Sequence, residues 1–283
     1  MGESVKNKTK SVSIIVAVCL FLNVLVIQIF KLIPSNGEVL GFIINVLSTI
    51  SPVLVALIAF KAQFAILGLT KEPKSSIIKT TNYNKSILFI VAFIIFFGMS
   101  VAYNLFFDYP SFEHIKADTP IWEHIVYVTV AIVIRAILEE LLFRKYIYTE
   151  FSVYGNNATV LLCALVFAMS KSSLVGFPYW FIIGIILSVL YSYTSTILYP
   201  ILIRIIVDSV LYVKMITLSF NPRENSTLNL ILGITLVAVL FIIALTFIRR
   251  LKVVNEGDNV TKPGFFTPPM VIFLAFAFAM CLF

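Results

Sequence analysis

Arg135-Ala-Ile-Leu-Glu139-Glu140-Leu-Leu-Phe-Arg144 sets four charges inside an otherwise apolar run. At membrane depth each ionised carboxylate costs about 2.5–3.5 kcal/mol even on lenient insertion scales. A chain that keeps two of them side by side must neutralise them or use them. Neutralisation is the first possibility, because Arg135 with Glu139 and Glu140 with Arg144 are i,i+4 pairs, which meet on one helix face.

The rest of the composition places that helix in a bilayer. Hydrophobic residues make up 60% of the chain and charged ones 12%, with a mean hydropathy of +1.02, against about 25% charged in soluble domains. This predicts an all-α, polytopic transmembrane bundle of eight or nine spans, one membrane unit without a soluble domain. The net charge of +7 comes largely from lysines in short loops beside apolar spans, so it reads as orientation rather than as a nucleic-acid surface. The expected surroundings are a lipid bilayer and another membrane or cell-envelope protein. Cys19, Cys163 and Cys281 all lie in apolar runs, without disulfide or metal spacing, and read as packing residues.

In chain order, Lys6, Lys8 and Lys10 precede an apolar run from about Ser11 to Phe30, read as a retained first span because no small-residue cleavage site follows. A second span covers Val39 to Phe60. The connector after it, with Lys61, Lys71, Lys74, Lys79 and Lys85, is the strongest cytoplasmic signal, which puts the N-terminus inside a multi-pass cell-membrane protein. A third span runs from Ser86 to Phe107, followed by an acidic connector. The fourth starts near Trp122 and carries the glutamates; the fifth begins at Asn156, the sixth is Phe177 to Tyr193 and the seventh Leu198 to Leu218. Leu228 to Ile248 is an eighth, and Met270 to Phe283 is short for a ninth. Pro178 and Pro200 read as helix starts, and Phe177-Pro-Tyr-Trp180 as lipid contact and interface belt.

Chemistry must then come from ionisable groups inside these spans. After the glutamates these are Lys171 and the i,i+4 pair Arg204 and Asp208. Glu140, Lys171 and Arg204 each fall about 10–20 Å from the inner end of their span at 1.5 Å per residue, so one polar cluster is expected. His114 reads as a solvated loop residue, and His124 lies about 22 Å before Glu139 along the helix, too far to share its site.

Glu139-Glu140-Leu-Leu-Phe-Arg144 fits E-E-x-x-x-R, and on this motif the chain resembles the CAAX protease and bacteriocin-processing (CPBP, or Abi-domain) family of intramembrane endopeptidases, which is bacterial in many members. In that family an F-x-x-x-H and then an H-x-x-x-N or H-x-x-x-D signature follow. Phe167-x-x-x-Lys171 and Arg204-x-x-x-Asp208 stand at those places, so both motif histidines are replaced. The resemblance divides the chain into N-terminal spans at 1–120, a family-like core at 121–218 and C-terminal spans at 219–283. It implies that the site residues are Glu139, Glu140, Arg144, Lys171, Arg204 and Asp208, with a glutamate activating water in active members.

Cations at 171 and 204 change what the site can do. A general base works best near ambient pH, and a carboxylate held by a neighbouring cation is a salt-bridge partner instead. Lysine and arginine also repel a metal ion, so no metal and no cofactor is expected. Two readings compete. One is a pseudoprotease, a scaffold or regulator similar to the lysostaphin-resistance and surface-protein-display type of relative. The other is a still-active endopeptidase, with Arg204 stabilising an oxyanion and a desolvated Lys171 as base. A bacteriocin-immunity or transport role is a third, although little polar lining is visible beyond the cluster.

Overall fold

The computed structural model describes residues 2–33, 38–66, 85–106, 119–152, 155–171, 173 and 176–218. The expected eighth and ninth spans, His114, Cys281 and most of the basic and acidic connectors lie outside the described residues. Within them the chain is all helical, with seven helices and no strand.

Helix α1 is Gly2–Lys31, so the helix starts well before the apolar run and includes the N-terminal lysines, which are good helix formers. Helix α2 is Glu38–Ile66, with Pro52 inside it, and α3 is Lys85–Phe106. Helix α4 is one continuous rod from 121 to 151, in which two wide π-helical stretches, Val128–Ile134 and Leu141–Ile147, flank the regular turn Arg135–Glu140. Helices α5 (Asn156–Met169), α6 (Phe177–Thr194) and α7 (Leu198–Leu218) complete the described part. Pro178 stands in the first turn of α6 and Pro200 in that of α7, where a missing N–H costs nothing.

The connections explain the packing. Short links make hairpins of α1 with α2 and of α5 with α6, while α3 lies against α6 and α7, and α4 runs between α2 and α7. Between α4 and α5 the backbone of Gly155 takes φ 86°, open to glycine, and Thr159 Oγ1 then donates to the carbonyls of Phe151 at 2.7 Å and Gly155 at 2.8 Å. This lets α5 fold straight back along α4. At Gly184 of α6 a Cβ would stand 2.9 Å from Ala164 Cα, so the absence of a side chain sets how closely α5 and α6 approach.

Gly41–Gln63 and Phe177–Thr194 are long and apolar enough to cross a membrane, while the apolar parts Ile14–Phe30, Lys85–Val101 and Asn156–Met169 are shorter. Helices α4 and α7 carry the ionisable groups, and those are turned inward. Glu139, Glu140, Arg144, Arg204 and Asp208 are buried, whereas Ile134, Ile137, Leu202, Ile206 and Val210 of the same helices are exposed. Apolar side chains outside and charges inside is the arrangement a lipid environment demands.

Candidate functional site

Helix α4 supplies the glutamates. Consecutive residues on an α-helix point about 100° apart, yet Glu139 and Glu140 are only 1% and 0% exposed. The i,i+4 pairing follows the sequence spacing. Arg135 Nε donates to Glu139 Oε1 at 2.9 Å, and Arg144 Nε lies 3.1 Å from Glu140 Oε2, an ion pair by distance without hydrogen-bond alignment.

The other cations arrive from elsewhere. Lys171, in the turn that ends α5, places Nζ 2.6 Å from both oxygens of Glu139. Arg204 of α7 donates through Nη1 to Glu139 Oε2 and lies 3.4 Å from Glu140 Oε1, so one guanidinium spans both glutamates. The three segments therefore converge on one polar cluster, as expected. Asp208, one turn further along α7, is buried and within electrostatic range of Arg204, Arg135, Glu139 and Lys171. All six residues expected from the motifs stand together.

Sequence reasoning missed the aromatic part of the site. The Phe167 ring has Arg144 Cζ at 4.7 Å, Lys171 Nζ at 4.8 Å and Arg204 Cζ at 5.6 Å from its centre. Trp180 offers Lys171 a second ring at 4.9 Å and meets Phe167 edge to face. Cation–π attraction is strongest in a desolvated place such as this. Trp180 and Tyr179 are buried, and Tyr179 shares a 2.8 Å hydrogen bond with Ser100 of α3, so these two are site and core residues rather than the interface belt their composition suggested. The F-x-x-x-K spacing was the available signal: Phe167 and Lys171 lie one turn apart at the end of α5. Gly184 was also missed; its carbonyl accepts from Arg144 Nη2 at 3.4 Å, a contact open only because the helices approach so closely there.

The polar lining also extends further than expected. His124 Nδ1 lies 2.5 Å from Tyr212 Oη, and the Tyr212 ring stacks on Tyr127 with centres 5.6 Å apart. On α4, residues 124, 127, 131, 135 and 139 share one face, and on α7 so do 204, 208 and 212. His124 is thus near the far end of the polar seam and does not touch the glutamates.

What the cluster can do follows from its charges. Three carboxylates and four cations interlock α4, α5 and α7. Among the described residues no group of three or more His, Cys, Asp or Glu side chains is placed to share a metal ion.

Residues 120–210 match the family model of the type II CAAX prenyl endopeptidase Rce1-like proteins. No curated protein and no solved structure matches the chain. The matched segment runs from the start of α4 into α7 and contains every member of the charged cluster. Together with the apolar helices, this match suggests a membrane protein. Over that segment the chain is similar to the CAAX protease and bacteriocin-processing family, which supports the resemblance read from the motifs.

Proposed function

We propose that the chain is a non-catalytic member of its family, a multi-pass protein of the cell membrane that binds and positions another membrane or envelope protein. The observation that carries this reading is the occupation of Glu139. Lys171 holds both its oxygens at 2.6 Å, Arg135 bonds Oε1 and Arg204 bonds Oε2. A carboxylate that activates water needs a lone pair directed at that water, and here the lone pairs are directed at three cations. Glu140 is held more loosely, with Arg144 Nε 3.1 Å from Oε2 as an ion pair by distance and Arg204 Nη1 3.4 Å from Oε1. Buried ion pairs need not raise net stability, but they can hold helices in one register, and a fixed register suits a surface that recognises a partner. The lysine distribution supports an N-terminus on the cytoplasmic side.

The test compares the N-termini of membrane proteins from cells carrying the wild-type chain, a Glu139→Ala/Glu140→Ala variant of matched abundance, or a deletion. Agreement of the three sets, together with a phenotype on deletion alone, is the expected result, and crosslinking then identifies the partner. A terminus found with wild type only would sink the proposal and favour the endopeptidase, with Arg204 facing the developing oxyanion.

A further inference from the structure

Two exposed lysines from different helices meet at one aromatic ring, away from the charged cluster. Lys61 of α2 places Nζ 5.8 Å from the centre of the Tyr146 ring, and Lys145 of α4 places Nζ 6.0 Å from the same centre. Phe60, buried on α2, packs against Tyr146 with ring centres 5.5 Å apart, so the meeting follows from the packing of α2 on α4. Among the described residues neither lysine has a carboxylate within ion-pair distance. Glu150, the next acid along α4, is buried. The sequence on either side adds more cations than anions: the connector that leaves α2 holds Lys71, Lys74 and Lys79 against Glu72, and the link from α4 to α5 holds no charge.

What leads up to each lysine points to the partner. On α2, Leu47, Leu54, Ile58 and Lys61 fall on one helix face, and all four are exposed. On α4, Ile134 and Ile137 are exposed, half-buried Leu141 continues their row, and exposed Lys145 ends it. Each row is apolar until it closes in an ammonium group. Because α2 and α4 are in contact, the two rows border one seam. At 1.5 Å per residue, Leu54 lies about 10 Å below Lys61 and Ile134 about 16 Å below Lys145, a depth that an acyl chain reaches beneath its own phosphate. A free anion would use the lysines and leave the rows unused, whereas a phospholipid matches both.

We propose that an anionic phospholipid seats on this face, with its phosphate at Lys61, Lys145 and the Tyr146 ring and its acyl chains along the apolar rows of α2 and α4. Lysines at a membrane surface attract anionic headgroups, and tyrosine rings favour the same level. The flexible lysine stems let two ammonium groups reach one phosphate. A bilayer lipid needs such an outward surface rather than an enclosed cavity. The inference rests on the membrane reading of the chain and is independent of whether the charged cluster cuts peptide bonds.

The experiment titrates the full chain, in neutral detergent, with phosphatidylglycerol or phosphatidylcholine and counts bound lipid by native mass spectrometry. Saturable binding of phosphatidylglycerol, tighter than that of phosphatidylcholine, is expected. Lys61→Gln/Lys145→Gln should weaken phosphatidylglycerol binding about thirtyfold, ~2 kcal/mol for two surface cations, and leave phosphatidylcholine binding unchanged. Lys61→Arg/Lys145→Arg should keep most of the affinity. Lys6→Gln/Lys8→Gln makes the same change in net charge and should bind like wild type. Equal affinity of wild type and Lys61→Gln/Lys145→Gln overturns the proposal and leaves the pair to an acidic protein partner. Equal losses in the two glutamine variants also overturn it, since the lipid would then follow net charge rather than a site. A chain that binds neither lipid fails on the membrane reading itself, whereas one that binds both alike fails on this proposal alone. Because the readout involves no cleavage, its failure is separate from a failure of the N-terminus comparison.

Discussion

Lys171 Nζ stands 2.6 Å from each carboxylate oxygen of Glu139, a residue on another helix thirty-two positions earlier. This contact ties the end of α5 to the centre of α4, and Arg204 ties α7 to the same carboxylate. The site is therefore a knot of three helices, and its members should act on stability together.

Arg204 spans both glutamates. Arg204→Leu leaves those buried carboxylates short of a partner and should cost about 3–5 kcal/mol. Arg204→Lys keeps the charge but loses the planar fork, and should recover only part of that loss. Thermal and denaturant unfolding in lipid would measure both, and a leucine variant as stable as wild type would contradict the ion-pair account.

Glu140 and Arg144 are both fully buried. Glu140→Ala strands a buried guanidinium and should cost about 3–5 kcal/mol. The double variant Glu140→Gln/Arg144→Met removes both charges and should lose less than the two single changes summed, with a coupling of about 0.5–3 kcal/mol. Strict additivity in the cycle would mean that the pair does not communicate.

Phe167 carries three cations around its ring. Each contact of this kind is worth about 0.5–2 kcal/mol according to its desolvation. Phe167→Leu should therefore destabilise the wild type more than it destabilises a Lys171→Met background, where one of the cations is already gone. Equal losses in the two backgrounds would reduce Phe167 to an ordinary core residue.

Gly184 has no room for a methyl group, with Ala164 Cα at 2.9 Å and Ala164 Cβ at 3.0 Å from where it would stand. Gly184→Ala should cost about 1–3 kcal/mol by overpacking and should disturb the Arg144 contact with its carbonyl. Ala164→Gly in the same chain removes one of the two clashing atoms and should restore part of the stability. A Gly184→Ala variant that unfolds like wild type would place the closest approach of α5 and α6 elsewhere.

Much of this was legible in the chain because it depends on local spacing or on composition. Apolar runs separated by charged connectors mark membrane helices whatever their partners. The pairs Arg135 with Glu139 and Glu140 with Arg144 lie on one helix, so their meeting needs no tertiary information. The motif spacings likewise brought Lys171, Arg204 and Asp208 into the list before any helix was placed.

What tertiary packing alone decided is which cation meets which carboxylate and what surrounds them. Helix α6 is apolar on every side, so its pattern carries no sign of which face turns inward, and the roles of Trp180 and Gly184 were invisible in it. Only the close packing of α5 on α6 brings Trp180 against Lys171 and the Gly184 carbonyl within reach of Arg144. Arg204 was expected beside Asp208 because the two are one turn apart, yet its guanidinium also crosses to α4, where two buried carboxylates offer more negative charge than one. Sequence by itself determined the described helices, their apolar character and the membership of the cluster, since these follow from short-range periodicity and polarity. Structure determined the connectivity of the charges, since in a low-polarity interior each ion takes the partners that packing brings within a few ångströms.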